Sequence, residues 1–361
     1  MTRCWCEINL SAIRHNIAFV RKQVGADTAI MPMLKADAYG HGTREIASVF
    51  RSEKCEWIGC ANVSEGANLR RYGIRTPILL LSGFLQEELE EIAGRRLSIT
   101  LSSIEEARIA QRHAKRTGYL IGCHVKVDTG MGRLGCQPEL APELLHYVEE
   151  ASHLNLEGFY SHYACADESK AFTMSQWKAF SAIPAPDSVL RHICNSAGML
   201  ALPQSHQDIV RPGLIVFGVS PLPKFQTKLR PALSWKTRVV GVREVPKGTT
   251  ISYGATFTAP HRMKIATLSV GYGDGLSRQL GNCGKVLIRG HSCAIRGRVT
   301  MDQVVVEVPR PLDVRKGDVA ILLGKSGKTT ITAVDMANWA QTIPYEIWCH
   351  ITGRVVKEYT S

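Results

Sequence analysis

Four polar residues in the first two thirds of the chain have side chains that could act together in chemistry. Each one ends a short apolar run or lies in the segment just after one: Lys35, Arg133, His162 and Ser196. A primary amine can form and exchange a Schiff base, and guanidinium and hydroxyl groups bind carboxylates and phosphates. Taken singly, such residues are more often solvated surface groups or, for His162, packed core groups. Their joint placement is informative only if a fold gathers the ends of these runs at one place.

The apolar runs indicate which fold this is. Helical patterns alternate with eight candidate strands, at residues 29–34, 57–61, 78–81, 97–101, 123–127, 156–160, 189–194 and 209–216. The clearest helix covers residues 103–116, where Ser103 and Glu106 form a capping-box pair. Eight such β-then-α units predict an α/β fold, a (β/α)8 TIM-type barrel over residues 10–229.

In a barrel of this kind the reactive groups lie on loops at the carboxyl ends of the strands. Lys35, Arg133, His162 and Ser196 would then lie on one rim. Arg211 is the exception, because it lies near the start of the eighth run. Since proline interrupts a strand ladder, we expect that run to break at Arg211-Pro212.

A second domain follows the barrel. After Pro231 the sequence changes to β-branched, alternating runs separated by glycine, at residues 236–245, 264–270, 285–288, 303–308 and 318–323. These runs predict a mainly β domain over residues 230–361, interrupted by one helix near residues 332–340. Residues 1–9 are also strand-like, and we expect them to pair with this domain.

Composition excludes several classes of protein. The 361 residues carry a formal net charge of +12, but the basic residues occur singly or in pairs, so a cationic surface is favoured over nucleic-acid binding. Nothing approaches the roughly 18 consecutive apolar residues of a membrane span. Eleven cysteines without a C-x-x-C pair disfavour disulfides and metal sites and indicate a cytoplasmic enzyme. A reactive or metal-binding role stays open for Cys4 and Cys6.

The motifs in the chain resemble those of the alanine racemase family. The run KADAYGHG, which begins at Lys35, is similar to that family's cofactor-lysine signature. Other blocks occur in the family's order: KVDTGMGR from Lys126, RPG from Arg211, SYGAT from Ser252, GYGDG from Gly271, GRVTMD from Gly297 and PYE from Pro344. The family's architecture, a barrel followed by a β domain, agrees with the one predicted from the periodicity.

The resemblance implies a two-base mechanism for the reaction. Lys35 would hold pyridoxal phosphate (PLP) as a Schiff base and take the proton of the D-enantiomer, and Tyr253 would take that of the L-enantiomer. Arg211 would face the pyridine nitrogen of the cofactor without giving up its own proton, which disfavours transamination. His162 would support Arg211 by a hydrogen bond.

The resemblance also implies the binding roles of other residues. Arg133 and the Met301 N–H would hold the substrate carboxylate, and Lys126 matches a position that is carbamylated in some family members. The phosphate of PLP would be held by hydroxyl and backbone N–H groups of Tyr39, Ser196, Gly213, Leu214 and Tyr345.

Family members are homodimers with shared active sites, in which Tyr253, Tyr272 and Met301 come from the partner subunit. The implied function is alanine racemisation, which supplies D-alanine for bacterial peptidoglycan. A serine or broad-specificity racemase is the nearest alternative, although Tyr345 and Asp302 favour alanine by leaving little room beyond a methyl group. A non-catalytic PLP carrier would share the barrel and Lys35 but would lack Tyr253 and the β domain.

Overall fold

The computed structural model describes residues 2–361, which divide into two compact units. The barrel unit comprises Ile13–Ala38 and Thr43–Arg230. The β unit comprises residues 2–12, Tyr39–Gly42 and Pro231–Ser361. The four-residue segment Tyr39–Gly42 therefore groups with a part of the chain that follows it by almost 200 residues, which the sequence did not predict.

Strand β1 (Cys4–Asn9) opens the chain, and the next eight strands form the barrel unit's sheet. They are β2 (Ala29–Ile30), β3 (Ile58–Cys60), β4 (Ile78–Leu80), β5 (Ile99–Leu101), β6 (Ile121–Lys126), β7 (Leu154–Tyr160), β8 (Leu190–His192) and β9 (Ile209–Val210). Every pairing among them is parallel, and β2 pairs with β9. Single bridges join the remaining neighbours, namely Met33 with Gly59, Leu79 with Ser98 and Asn195 with Arg211. The sheet is thus closed, and the predicted (β/α)8 barrel is confirmed.

Helices precede and separate these strands: Leu10–Val24, Thr43–Ser52, Val63–Arg71, Leu89–Gly94, Ile104–Thr117, Ala141–Glu150, Lys170–Ser181 and Ser196–Ala201. At the helix predicted for residues 103–116, the Ser103 hydroxyl accepts a hydrogen bond from the Glu106 N–H. The Glu106 carboxylate accepts from the Ser102 N–H at 2.6 Å, and the Ser103 N–H also acts on it. The start of the helix and the pairing of Ser103 with Glu106 therefore agree with the prediction.

The eighth barrel strand is shorter than its apolar run. β9 ends at Val210, Arg211 and Pro212 follow it, and Leu214–Phe217 forms a 3-10 turn. The run predicted over residues 209–216 breaks at Arg211-Pro212, as expected from the proline. Arg211 consequently lies just beyond the carboxyl end of its strand, where the other site residues of the barrel were predicted.

The β unit contains ten further strands: β10 (Leu233–Val245), β11 (Thr250–Ile251), β12 (Phe257–Thr258), β13 (Met263–Leu268), β14 (Lys285–Ile288), β15 (His291–Ala294), β16 (Val304–Val308), β17 (Val319–Ser326), β18 (Thr329–Ile331) and β19 (Val356–Thr360). β1 pairs antiparallel with β10 and parallel with β19. Two helices, Ala333–Ala340 and Pro344–Cys349, follow β18. The Thr332 hydroxyl caps the first of them by accepting from the Asp335 N–H.

Cys4 and Cys6 lie in β1 and are both buried. The Trp235 indole N–H donates to the Cys4 Sγ at 3.2 Å. Burial raises the pKa of both thiols, which removes the thiolate that reactivity and metal binding require. Among residues 2–361, no group of three or more His, Cys, Asp or Glu side chains is arranged to hold a metal ion. These two cysteines are packing residues.

None of the helices formed by residues 2–361 combines the length and the apolar character needed to cross a membrane.

Candidate active site

Lys35 follows the extension of β2 at the rim of the barrel. The Leu34 N–H donates to the Gly59 carbonyl at 2.8 Å, so the chain stays aligned with β3 up to the lysine. On the other side of the lysine, the Ala36 N–H donates to the Glu65 carboxylate at 2.7 Å. These two bonds fix the backbone on either side of Lys35.

A left-handed turn follows the lysine at once. The residues from Ala36 to Tyr39 have φ angles of 50°, 53°, 54° and 52°, which cost L-residues roughly 1–2 kcal/mol each. The Asp37 carboxylate helps to hold this turn, since it accepts from the N–H and the hydroxyl of Thr43. Gly40 has a φ of 76° and lies against the Trp348 carbonyl, which a Cβ atom would strike. Such strain at a turn beside a lysine is typical of a functional site.

Four cations of the barrel unit surround His162. Burial is the first cause that lowers the pKa of this imidazole well below its ordinary value, and the charges of four neighbours lower it further: Arg211, Lys126, Arg133 and Lys35. The barrel therefore brings together side chains that follow the first, fifth, sixth and eighth of its strands. A pocket with this excess of positive charge suits an anionic ligand.

Arg211 is 3% exposed, and its guanidinium is satisfied without a carboxylate. Nη1 donates to His192 Nδ1 at 2.5 Å. Nη2 donates to the Ser161 carbonyl at 2.7 Å, the Ile193 carbonyl at 3.0 Å and His162 Nδ1 at 3.2 Å. Since Nη2 carries two protons, two of these three acceptors share one of them. Burial lowers the pKa of Arg211 to about 10, so the group is still a cation at neutral pH.

These bonds fix the protonation of two histidines. Arginine has no acceptor, so Nδ1 of His192 and Nδ1 of His162 must both accept, and the proton of each neutral ring lies on Nε2. Burial, followed by the charge of Arg211, lowers the pKa of His192 well below its ordinary value. His192 Nε2 in turn lies 2.9 Å from Nδ1 of His124.

Sequence reasoning missed His124 and His192. One signal was present, because His124 precedes Lys126 by two residues on β6 and so shares its face of the strand. His192 ends β8, as His162 follows β7, but a histidine inside an apolar run is more often a satisfied core residue.

Lys126 lies inside the barrel unit, 3% exposed. Its Nζ is 5.1 Å from the centre of the Tyr160 ring and has no hydrogen-bond partner among the described residues. Burial, followed by the charge of Arg211, lowers the pKa of this amine to about 8. A substantial fraction of Lys126 is therefore neutral in mildly alkaline solution.

Ser196 and Gly213 meet at the same rim. The Gly213 N–H donates to the Ser196 Oγ at 2.9 Å, which leaves the hydroxyl proton of Ser196 to donate elsewhere. Leu214 begins a 3-10 turn, and the first N–H groups of such a turn have no acceptor within it. This set of donors, beside the cations around His162, fits the phosphate of PLP.

The remaining predicted residues belong to the β unit. The rings of Tyr39 and Tyr345 lie 5.5 Å apart. Tyr253 is 74% exposed and Met301 is 53% exposed. The Tyr272 N–H donates to the Thr300 carbonyl, which joins the loop of Tyr272 to that of Met301.

The barrel, its cation-rich rim with a lysine and the attached β domain define a class of PLP-dependent isomerases that act on amino acids. Family models for the alanine racemase N-terminal and C-terminal domains match residues 8–221 and 232–359. The chain belongs to the alanine racemase family.

Individual relatives are similar over their whole length. An alanine racemase of Symbiobacterium thermophilum is 40% identical, with 99% of this chain and 97% of the relative covered. The structure of a Clostridium difficile alanine racemase is 34% identical, with a TM-score of 0.92 and coverage of 100% of this chain and 96% of that one. A Bartonella henselae alanine racemase with covalently bound pyridoxal phosphate is 26% identical, with a TM-score of 0.93 and full coverage of both chains.

The buried histidines predict a loss of stability in acid. Burial and Arg211 lower the pKa of His124 to about 3 in the folded protein, whereas an unfolded histidine titrates near ~6.5. The unfolded chain therefore binds the proton first, so the stability is fully present above pH ~6.5 and is lost as the pH falls. Between pH 7.5 and pH 5 this costs about 2 kcal/mol for one such histidine.

Urea unfolding at the two pH values measures this effect. We expect His124→Asn to remove about 2 kcal/mol of the pH dependence of the unfolding free energy, and His261→Asn, at an exposed histidine, to keep the wild-type dependence. Equal pH dependence in wild type and His124→Asn would contradict the neutral buried imidazole.

Proposed function

We propose that this chain interconverts L-alanine and D-alanine with PLP by transfer of the Cα proton between two bases, Lys35 and Tyr253. The observation that carries the proposal is the rim of the barrel unit, where the Arg211 guanidinium is buried beside a cluster of cations that includes Lys35. The family match over both domains supports it.

When bound, PLP withdraws electrons from the amino acid attached to it and so acidifies its Cα–H. The Lys35 amine would take or return this proton on one face of Cα, and the Tyr253 phenol oxygen would do so on the other. A base on each face allows the proton to leave one side and return on the opposite side, which inverts the centre.

Arg211 would limit the reaction to proton exchange. Its guanidinium would face the pyridine nitrogen of bound PLP, and with a pKa of about 10 it would keep its proton at neutral pH. Electron withdrawal then stays modest, which disfavours competing reactions such as transamination. His162 supports this placement through its hydrogen bond from Nη2.

We assign the binding groups by the same argument. The Arg133 guanidinium and the Met301 N–H would hold the substrate carboxylate. The phosphate of PLP would be held by the hydroxyl and N–H donors of Tyr39, Ser196, Gly213, Leu214 and Tyr345, with the Gly213 N–H shared between the phosphate and the Ser196 oxygen. The Ser196 hydroxyl proton is available for this purpose, because its oxygen already accepts from Gly213.

The cellular role that we propose is the supply of D-alanine for peptidoglycan in the bacterial cytoplasm. Burial raises the pKa of several thiols, including those of Cys60 and Cys194, so they are unreactive packing groups. Such cysteines are typical of proteins from a reducing compartment.

The assay for this function incubates the purified holoenzyme with L-alanine, L-serine or L-lysine and measures the D-product. We expect D-alanine to form fastest, and Lys35→Ala to abolish turnover in both directions. Tyr253→Phe should cost at least about 100-fold in the L-to-D direction, the scale of a lost general base. Wild-type protein that racemises none of these amino acids would contradict the function, and full activity of Tyr253→Phe would contradict the two bases.

We also propose that the enzyme is a homodimer in which Tyr253, Tyr272 and Met301 complete the partner's active site. Their exposed fractions of 74%, 44% and 53% support this proposal, because large side chains with this exposure are available for contact with another chain.

Mixing inactive variants tests whether the active sites are shared. A heterodimer of a Lys35→Ala chain and a Tyr253→Phe chain contains one site with both bases intact and one with neither. Random exchange of subunits makes half of the dimers mixed, so we expect recovery to about a quarter of wild-type activity. No recovery, with exchange verified by mass-tagged subunits, would show that each chain supplies both of its own bases.

We propose in addition that the Lys126 amine is carbamylated, which would place an anion near Arg133. In this reaction the neutral nitrogen bonds to the carbon of CO2 and loses a proton. The unpaired Nζ and the pKa of about 8 support the proposal.

Carbon-13 NMR of the enzyme under constant labelled CO2 tests this modification. The carbamate signal should grow as the pH rises through about 8, because the neutral amine is the reacting form. We expect the signal to vanish in Lys126→Met and to persist in Lys115→Met, which alters an exposed lysine. A signal that survives Lys126→Met would assign the carbamate to another residue.

A further inference from the structure

A row of polar side chains runs from Arg211 through the interior of the barrel unit. Arg211 Nη1 lies 2.5 Å from His192 Nδ1, and His192 Nε2 lies 2.9 Å from His124 Nδ1. His124 Nε2 lies 3.9 Å from the Glu157 carboxylate. Glu157 itself accepts from the Ser98 hydroxyl at 2.5 Å. The row therefore runs by hydrogen bonds from the rim of the barrel to His124. The His124 Nε2 has no hydrogen-bond partner among the described residues, and the nearest carboxylate, that of Glu157 on β7, is too far away to accept one.

The direction of donation along this row is fixed at the arginine. Because a guanidinium only donates, His192 Nδ1 must accept, and the His192 proton must lie on Nε2. That proton is donated to His124 Nδ1, so the His124 proton lies on Nε2, on the side of Glu157. A reversal at any point would place two protons or two lone pairs against each other. The hydrogen bond from Arg211 thus determines which nitrogen carries the proton in His192, and His192 determines it in His124.

The side chains packed around His124 and His192 keep the two rings from rotating or shifting. Both histidines are fully buried. The Tyr160 ring stacks on His192 at 4.7 Å with 3° between the planes, and the Trp57 ring meets the edge of His124 at 5.0 Å. Gly158 leaves space for the His124 ring, since a Cβ atom there would strike it. The rings keep their positions, and only the protons could be redistributed.

Glu157 ends the row with a carboxyl group, and burial raises its pKa. Its side chain is 25% exposed, and it lines a cleft of about 860 Å³ together with Arg70, Arg95 and Arg96. A carboxylate at this distance favours the His124 tautomer whose N–H points toward it. The lone pair of His124 Nδ1 then stays on the side of His192, and that of His192 Nδ1 on the side of Arg211.

We propose that His124 and Glu157 are positioning residues for the reaction, which act through His192 to hold Arg211 in place. This proposal rests on the role of Arg211 given under Proposed function. Without an acceptor at His124, the buried His192 N–H would lose its partner, which costs about as much as an ordinary buried hydrogen bond. His192 would then shift or exchange its proton, and Arg211 would lose its nearest acceptor.

Two substitutions of His124 separate hydrogen bonding from packing. His124→Leu removes the acceptor and keeps much of the volume, whereas His124→Asn replaces Nδ1 with an amide oxygen that also accepts. His113→Leu is the matched control, because His113 is another buried histidine of the barrel unit outside the row. The readouts are the absorption spectrum of the cofactor in the holoenzyme, far-UV circular dichroism, and kcat and KM measured separately.

We expect His124→Leu to shift the cofactor's absorption maximum and to lower kcat about tenfold, with KM for alanine within about twofold of wild type. His124→Asn should restore both spectrum and kcat to within about twofold, and His113→Leu should match wild type. Glu157→Gln, at a partly exposed position, should shift the spectrum in the same direction as His124→Leu but less, which provides a second test if His124→Leu does not fold.

Arg211→Gln serves as the reference for the role of the arginine. If Arg211→Gln shifts the spectrum but folded His124→Leu or Glu157→Gln keeps the wild-type spectrum, the proposed role of Arg211 stands and the positioning role of His124 and Glu157 is refuted. Equal defects in folded His124→Leu and His124→Asn would also overturn it, because shape rather than the acceptor would then matter. An unshifted spectrum in Arg211→Gln would overturn both this proposal and the proposed role of Arg211.

Discussion

Burial of the Arg211 guanidinium is the interaction on which the rest of the barrel unit's site depends. A cation removed from water must recover its lost hydration through hydrogen bonds, and here the acceptors are two backbone carbonyls and two imidazoles rather than a carboxylate. A carboxylate would pair with the arginine and cancel its positive charge, in a site where an anionic cofactor must bind. Neutral acceptors satisfy the hydrogen bonds and leave the positive charge in place.

This arrangement requires that the two histidines beside Arg211 stay neutral. His162 and His192 can accept from Arg211 only in their neutral form, and the barrel buries them beside further cations that make protonation less favourable still. The parallel strands supply the necessary geometry, since β7, β8 and β9 end at the same rim and bring residues distant in sequence into contact. Lys35 is distant from these residues in sequence, because it follows β2, the first strand of the barrel. β2 pairs with β9, the last strand, and this pairing closes the barrel beside Arg211.

Much of this could be predicted from the sequence, because the signals are local. Short apolar runs located all eight barrel strands, and Pro212 marked the end of the last one. From the rule that reactive groups follow the strands of a barrel, we predicted one rim for Lys35, Arg133, His162 and Ser196. The motif resemblance supplied the cofactor and the family, which the domain matches confirm.

The features that escaped prediction depend on three-dimensional register. His124 and His192 are 68 residues apart and meet only because β6, β7 and β8 are adjacent and in register. The left-handed turn after Lys35 contains no glycine among its first four residues, so nothing in their types announced it. Its support comes from Asp37 and from the close approach of Gly40 to Trp348, which are contacts that no local pattern encodes.

The most direct test of the central claim is nitrogen-15 NMR of the enzyme labelled at its histidine rings, with the signals assigned by substitution of each histidine. The account predicts that, at neutral pH, Nδ1 of His124, His162 and His192 is unprotonated and Nε2 carries the proton. A proton on His192 Nδ1, or a doubly protonated ring at any of the three, would contradict it.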